Sequence, residues 1–203
     1  CRAVRDFDQP DHYLMMATRN GLVKKTELKA YSRPLKSGII AIKLKEGDEL
    51  IDCVITKTGD EIVLSTAHGM AIRFNEADAR PMGRNTSGVK GVSLGKDDTL
   101  VGMVVADPDA TLLTACLNGY GKRTPFGPNA DLPEGDVADE GQAAPGSAGG
   151  SEDDEAEGES SSSFRYRTQR RGGKGLRDIK TTERNGPVIG IVPVKDDDEL
   201  MMM

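Results

Sequence analysis

Seven consecutive residues, Gln169-Arg170-Arg171-Gly172-Gly173-Lys174-Gly175, carry the densest chemistry in the chain. Their three glycines remove side-chain bulk and permit unusual backbone angles, so main-chain N–H groups can approach an anion while Arg170, Arg171 and Lys174 supply charge. Phosphate oxygens are the natural ligand: a guanidinium grips phosphate through two parallel hydrogen bonds, and Gln169 adds a neutral one. Nothing here is shaped to read base edges, so contact with a nucleic acid would be independent of sequence. Arg165, Arg167, Arg177 and Lys180 flank the loop. Further cations follow three turns elsewhere, Lys24 and Lys25, then Arg73, then Lys122 and Arg123, and together these residues predict a basic rim.

Other chemistries find little support. Gly83 is followed five residues on by Gly88 and then Val89, so no GxxxxGK[ST] phosphate loop is present. The cysteines Cys1, Cys53 and Cys116 show neither CxxC spacing nor an even count, which predicts neither a zinc ribbon nor a disulfide framework and points to a reducing, cytoplasmic setting. Cys53 and Cys116 read as core residues. His12 and His68 are far apart, and His68 reads as a turn residue rather than a ligand. No metal site is predicted, because the clustered carboxylates lack EF-hand spacing. No apolar run approaches the 18 residues of a membrane span, and residues 1 to 30 lack a signal-peptide pattern.

The net charge of −6 conceals an uneven distribution. Residues 130–163 hold 11 acidic side chains and no Lys or Arg, leaving 27 basic against 22 acidic residues elsewhere, a net of +5. With few apolar side chains to offset its ordering entropy, this acidic segment is predicted to be a disordered insert. It either acts as a solvated linker or folds over the basic rim and competes with the polyanion.

The surrounding sequence repeats three times. YLMMATRNGLVKKT and SGIIAIKLKEGDELIDCVIT are echoed by EIVLSTAHGMAIRF and SGVKGVSLGKDDTLVGMVVA, with Gly21 matching Gly69 and Gly38 matching Gly88. TLLTACLNGYGKRT opens a third unit at Gly119, whose second half follows the insert; placing Gly172 on Gly88 makes the excess spacing 34 residues, the length of the acidic segment. Asn20-Gly21, His68-Gly69 and Asn118-Gly119 predict a hairpin in each unit, with positive φ supplied at the turn. Met70, Ile72 and Phe74 alternate with Ala71 and Arg73, as in a half-buried strand. Met15, Met16 and Met201 to Met203 fall at equivalent first-strand positions and read as core. About four strands per unit at a period near 51 predict propeller-like blades. WD-type blades are shorter and carry Trp, which is absent; kelch blades carry a Gly-Gly pair per unit, which is not repeated here.

QRRGGKG resembles the box motif of the DNA gyrase A C-terminal domain, and RNGLVKKT, AIKLKEGDELI, GRNTSGVKGVSLG, NGYGKRT and TTERNGPVIG are similar to its repeats. The resemblance covers nearly the whole chain outside the insert. It implies an all-β pinwheel, here about three four-stranded blades of a larger ring. Residues 1–129 would form two repeats and half of a third, 130–163 the insert, and 164–203 the remainder with the start of another unit. Cys1 and the terminal methionines read as the ends of a piece of a longer protein. The implied function is sequence-independent binding and wrapping of double-stranded DNA in support of ATP-dependent negative supercoiling. Implied partners are DNA and the gyrase B protein in an A2B2 holoenzyme, with no membrane; ATP and Mg would be bound elsewhere. Tyr13, Tyr31, Tyr120 and Tyr166 do not resemble the strand-cleaving tyrosine of type IIA topoisomerases, so no catalytic residue is expected in this chain. The box usually marks the first blade, whereas here it falls in the third repeat. The corresponding domain of topoisomerase IV is the alternative, and a protein-binding propeller scaffold a more distant one.

Overall fold

The structure is a computed structural model that describes residues 4–127 and 166–201; residues 130–163 and Arg165 lie outside the described residues. The strands are β1 (His12–Thr18), β2 (Leu22–Glu27), β3 (Leu50–Lys57), β4 (Glu61–Thr66), β5 (Met70–Asn75), β6 (Val89–Lys90), β7 (Leu100–Val105), β8 (Thr111–Cys116), β9 (Gly121–Pro125), β10 (Leu176–Arg177) and β11 (Val188–Val194). Two short 3-10 turns, Leu28–Tyr31 and Glu76–Asp78, follow β2 and β5. All pairing within the sheets is antiparallel, in the orders β3-β1-β2-β6, β10-β5-β4-β7 and β11-β8-β9.

Each sheet is organised on a hairpin closed by three residues. Gly21, Gly69 and Gly119 adopt φ of 79°, 81° and 82°, and their N–H groups donate to the carbonyls of Thr18, Thr66 and Cys116 at 2.9, 3.0 and 3.1 Å. Only the glycine is left-handed; Asn20, His68 and Asn118 are not among the positive-φ residues. The turn is therefore the three-residue type with glycine at its end, which explains why His68 substitutes for asparagine without strain.

The outermost strand of a blade is contributed by the following repeat. β6 pairs with β2 through Val89 opposite Val23 and Lys90 opposite Leu22, and β10 pairs with β5 through Leu176 opposite Ala71 and Arg177 opposite Met70. The expectation of four strands per unit holds for the second and third units, but they are divided between sheets: three go to the unit's own sheet and one to its predecessor's, while the first unit contributes three described strands and the third sheet has three. Close approach is the physical reason these donors begin with glycine. A Cβ on Gly88 would lie 2.4 Å from the Val23 carbonyl oxygen, and one on Gly175 would lie 2.4 Å from that of Ala71.

These contacts also correct the repeat alignment. Gly175, not Gly172, is the counterpart of Gly88, a shift of three residues that places Lys90 on Arg177 and lengthens the excess spacing from 34 to 37 residues. The coincidence with the length of the acidic segment does not survive this shift.

Two apolar layers lie between the sheets. Met15, Val23 and Val54 meet Ile62, Leu64, Ile72 and Phe74 in one; Val63, Ala71 and Val104 meet Leu112, Phe126, Tyr166 and Ile191 in the other. The middle blade is thus covered on both faces, and β4 is buried at all six positions. For the same reason Ala71 and Arg73 in β5 are buried along with Ile72 and Phe74, where alternation had implied one wet face. Cys116 is buried, which pushes its thiol pKa up, and Cys53 is half-buried. Met15 and Met16 are core residues, whereas Met201 is 84% exposed and is not.

Candidate nucleic-acid interface

The box loop sits on the second blade. It enters where Gln169 N donates to the Arg73 carbonyl at 2.7 Å, is held midway by Gly172 N to the Gly91 carbonyl and by Ser93 N to the Gly173 carbonyl, each 2.8 Å, and leaves as β10. Asp178 N and Ile179 N both donate to the Gly69 carbonyl, at 2.9 and 3.2 Å, as Gly91 N and Val92 N donate to the Gly21 carbonyl one blade earlier, at 2.8 and 3.2 Å. The loop is therefore a continuation of the sheet, fixed by backbone hydrogen bonds and, among its charged side chains, by Arg171.

Those side chains divide into two sets. Arg171 is turned inward: its Nε donates to the Asp78 carbonyl at 3.0 Å and its Nη1 to the Lys90 carbonyl at 2.5 Å, tying the loop to the preceding unit. Gln169 is half-buried. Arg167, Arg170, Lys174, Arg177 and Lys180 are exposed, and no acidic side chain among the described residues pairs with any of them. Lys90, at the position equivalent to Arg177 on the neighbouring exchanged strand, is also exposed. It was not among the predicted contacts, although placing Gly172 on Gly88 already set it opposite Lys174; the structural register sets it opposite Arg177 instead.

Three predicted rim residues are placed elsewhere, which corrects their assignment. Lys24 is fully buried, with Nζ donating to the carbonyls of Ala41 at 2.6 Å and Arg84; burial lowers its pKa from 10.5 to about 8. Lys25 forms a buried ion pair with Glu76 and lies 4.1 Å above the Tyr13 ring. Arg73 forms a buried ion pair with Glu61 at 2.6 Å and donates to the carbonyls of Phe126 and Tyr166. Alternation sends Lys25 and Arg73 between blades and Lys24 to the opposite face of β2, beneath the Ala41 and Arg84 carbonyls; in each place a cation persists only with partners. All three fasten one repeat to the next.

In the third unit the corresponding cations are nearer the surface. Lys122 is partly exposed and reaches Asp178, while Arg123 is exposed and pairs with Asp196 at 2.6 Å. Asp178 also accepts from Thr114 and Tyr166, each at 2.6 Å, and burial beside this carboxylate raises the Tyr166 pKa. The other tyrosines have structural contacts too: Tyr31 donates to the Ala41 carbonyl and Tyr120 lies beneath Arg184. No group of metal-ligating side chains occurs among the described residues, and no helix there is long and apolar enough to cross a membrane.

Antiparallel blades that exchange their outer strands, with cations displayed on those strands, define a β-propeller with a basic outer edge. The chain belongs to the family described as "DNA gyrase C-terminal domain, beta-propeller", which it matches over residues 12–57, 60–107 and 165–200. The DNA gyrase A protein of Staphylococcus epidermidis is 37% identical over 203 residues, 99% of this chain and 19% of the relative. Its Escherichia coli counterpart is 40% identical over 190 residues, 94% of this chain and 18% of the relative. The chain thus spans about a fifth of these relatives' length. The fold is shared with the C-terminal domain of DNA topoisomerase IV (TM-score 0.70, 24% identity, covering 95% of this chain and 49% of the other) and with the DNA gyrase A C-terminal domain (TM-score 0.69, 24% identity, covering 97% and 53%).

Proposed function

We propose that the exchanged outer strands bind duplex DNA and bend it around the blade edge, as part of a DNA gyrase A protein that supports ATP-dependent negative supercoiling. The observation carrying this reading is the matched placement of Lys90 and Arg177 on successive outer strands, with Arg170 and Lys174 exposed on the adjoining hydrogen-bonded loop. A loop backbone held before binding loses little freedom on meeting phosphate, and each neutralised phosphate releases counterions. Smooth bending of a short site costs about 1–6 kcal/mol, which contacts spread along an arc can offset. None of these side chains presents a recognition helix or ribbon to a groove, so the contact is to backbone. In the complete enzyme, ATP and Mg would be handled outside this chain, with the gyrase B protein in an A2B2 cytoplasmic holoenzyme. Topoisomerase IV shares the fold, but the relatives at 36–40% identity are gyrase proteins, which favours gyrase.

The interface comprises Arg170, Lys174, Arg177, Lys90, Arg167 and Lys180, with Lys122 and Arg123 at its margin and Gln169, Arg171, Gly172, Gly173 and Gly175 shaping the loop. Duplex binding measured over a salt series tests it. The Arg170→Ala, Lys174→Ala, Arg177→Ala triple variant should flatten the log–log salt slope by roughly 2–3, at about 0.9 per lost phosphate contact, with its circular dichroism unchanged. A folded triple variant retaining the wild-type slope would remove these residues from the interface.

A further inference from the structure

We propose that Arg171 is a positioning residue for Lys90, the phosphate contact of the preceding unit, rather than a phosphate ligand itself. The inference rests on the DNA-binding reading above and divides the two arginines of the loop. Arg170 meets the polyanion; Arg171 holds a cation on the neighbouring outer strand where that cation can do the same.

β6 gives Lys90 little support of its own. The strand is two residues long, is paired with β2 only through Val89 and Lys90, and ends at Lys90. The carbonyls of Lys90 and of the next residue are both taken up by the box loop. Arg171 Nη1 donates to the Lys90 carbonyl at 2.5 Å, and Gly172 N donates to the Gly91 carbonyl at 2.8 Å. The same guanidinium reaches a second anchor, its Nε donating to the Asp78 carbonyl at 3.0 Å, and the Arg171 N–H donates to the Asp78 carboxylate at 3.4 Å. One planar fork therefore joins the box loop, the Glu76–Asp78 turn and β6.

Contact with Lys90 continues past its carbonyl. At Gly172, with φ of 85°, a Cβ would lie 3.5 Å from the Lys90 carbonyl oxygen and 3.8 Å from both Cγ and Cδ of its side chain. The loop backbone thus lines the lysine stem, while Lys90 as a whole stays exposed. A stem lined in this way has fewer rotamers to lose on meeting phosphate. Arg171 itself is poorly placed for that task. Its Nε is one half of the fork that would grip a phosphate through parallel bonds, and it is committed to a main-chain carbonyl.

Two double-mutant cycles on duplex DNA binding, measured with the full chain over a salt series, test the proposal. Arg171→Lys keeps the charge but replaces the fork with a point donor, and the backbone bonds of Gln169, Gly172 and Ser93 remain to hold the loop. Lys90→Ala should flatten the log–log slope by about 0.9, one phosphate contact, and Arg171→Lys should remove most of that same amount. Combined with Lys90→Ala, Arg171→Lys should add nothing; combined with Lys174→Ala, it should add its full effect. Circular dichroism should be unchanged throughout. A wild-type slope in Arg171→Lys would overturn the proposal, as would effects that add in the Lys90→Ala background. Coupling to Lys174 in place of Lys90 would overturn it too, being the result for a residue that only shapes its own loop. A Lys90→Ala variant that binds like the wild type would do the same, yet would leave the DNA reading standing on a steep wild-type slope. A flat wild-type slope would instead remove the DNA reading and the proposal together.

Discussion

The Lys24 ammonium, enclosed between the Ala41 and Arg84 carbonyls, has its pKa lowered to about 8, chiefly by loss of solvation and secondarily by the Arg84 charge. The folded value lies below the unfolded one, so between them the unfolded chain binds more protons. Stability therefore rises as pH increases from about 8 toward 10.5, and the cost of the buried charge is present in full below that window. Lys24→Met should lose this ascending limb in urea titrations run at intervals across it; a variant with the wild-type pH profile would show that Lys24 is not its source. The same residue shows what the sequence conceals. That cations recur after each hairpin was legible, but their direction was not: on a strand covered on both faces, alternation sends one side chain into each layer, and neither layer is water. Lys25 and Arg73 meet carboxylates in those layers, and Arg73 draws in carbonyls more than 50 positions away. No local pattern announces such partners.

Among the elements, the exchanged strands β6 and β10 are short and depend on their glycines. Gly175→Ala combines a left-handed φ of 79° with a contact of 2.4 Å to backbone, whereas Gly59→Ala meets a φ of 91° with open space around it. Backbone strain alone costs about 1–3 kcal/mol. Gly175→Ala should therefore exceed Gly59→Ala in lost stability and should also speed amide exchange at Asp178 and Ile179; equal losses without faster exchange would remove the close-approach argument. The hairpins were legible because glycine marks the turn and apolar residues mark the strands on either side. Strand exchange was not, because periodicity tells which face of a strand is buried and never which sheet it joins. A three-residue slip in aligning two glycine-rich stretches was enough to hide the equivalence of Lys90 and Arg177.

For the molecule as a whole, charge is segregated along the chain, and Phe126 and Tyr166, on either side of the acidic segment, both lie in the apolar layer between the second and third blades. On the proposed function, the eleven carboxylates of residues 130–163 should oppose an approaching polyanion. Deleting residues 130–163 changes the net charge from −6 to +5. DNA affinity should rise at low salt, and the difference should shrink as the Debye length falls from about 10 Å at 0.1 M toward about 3 Å at 1 M. Unchanged affinity at low salt would make the segment an electrostatic bystander. Strand exchange has a further consequence, in time rather than space. A blade cannot be finished until the next repeat has been synthesised: β2 waits about 60 residues for β6, and β5 waits about 100 for β10. At ribosomal rates of about 5–20 residues per second the second wait lasts roughly 5–20 s. Throughout it the nascent chain carries an incomplete sheet edge, so the acidic segment lengthens the interval during which this fold is most open to mispairing with its neighbours on the polysome.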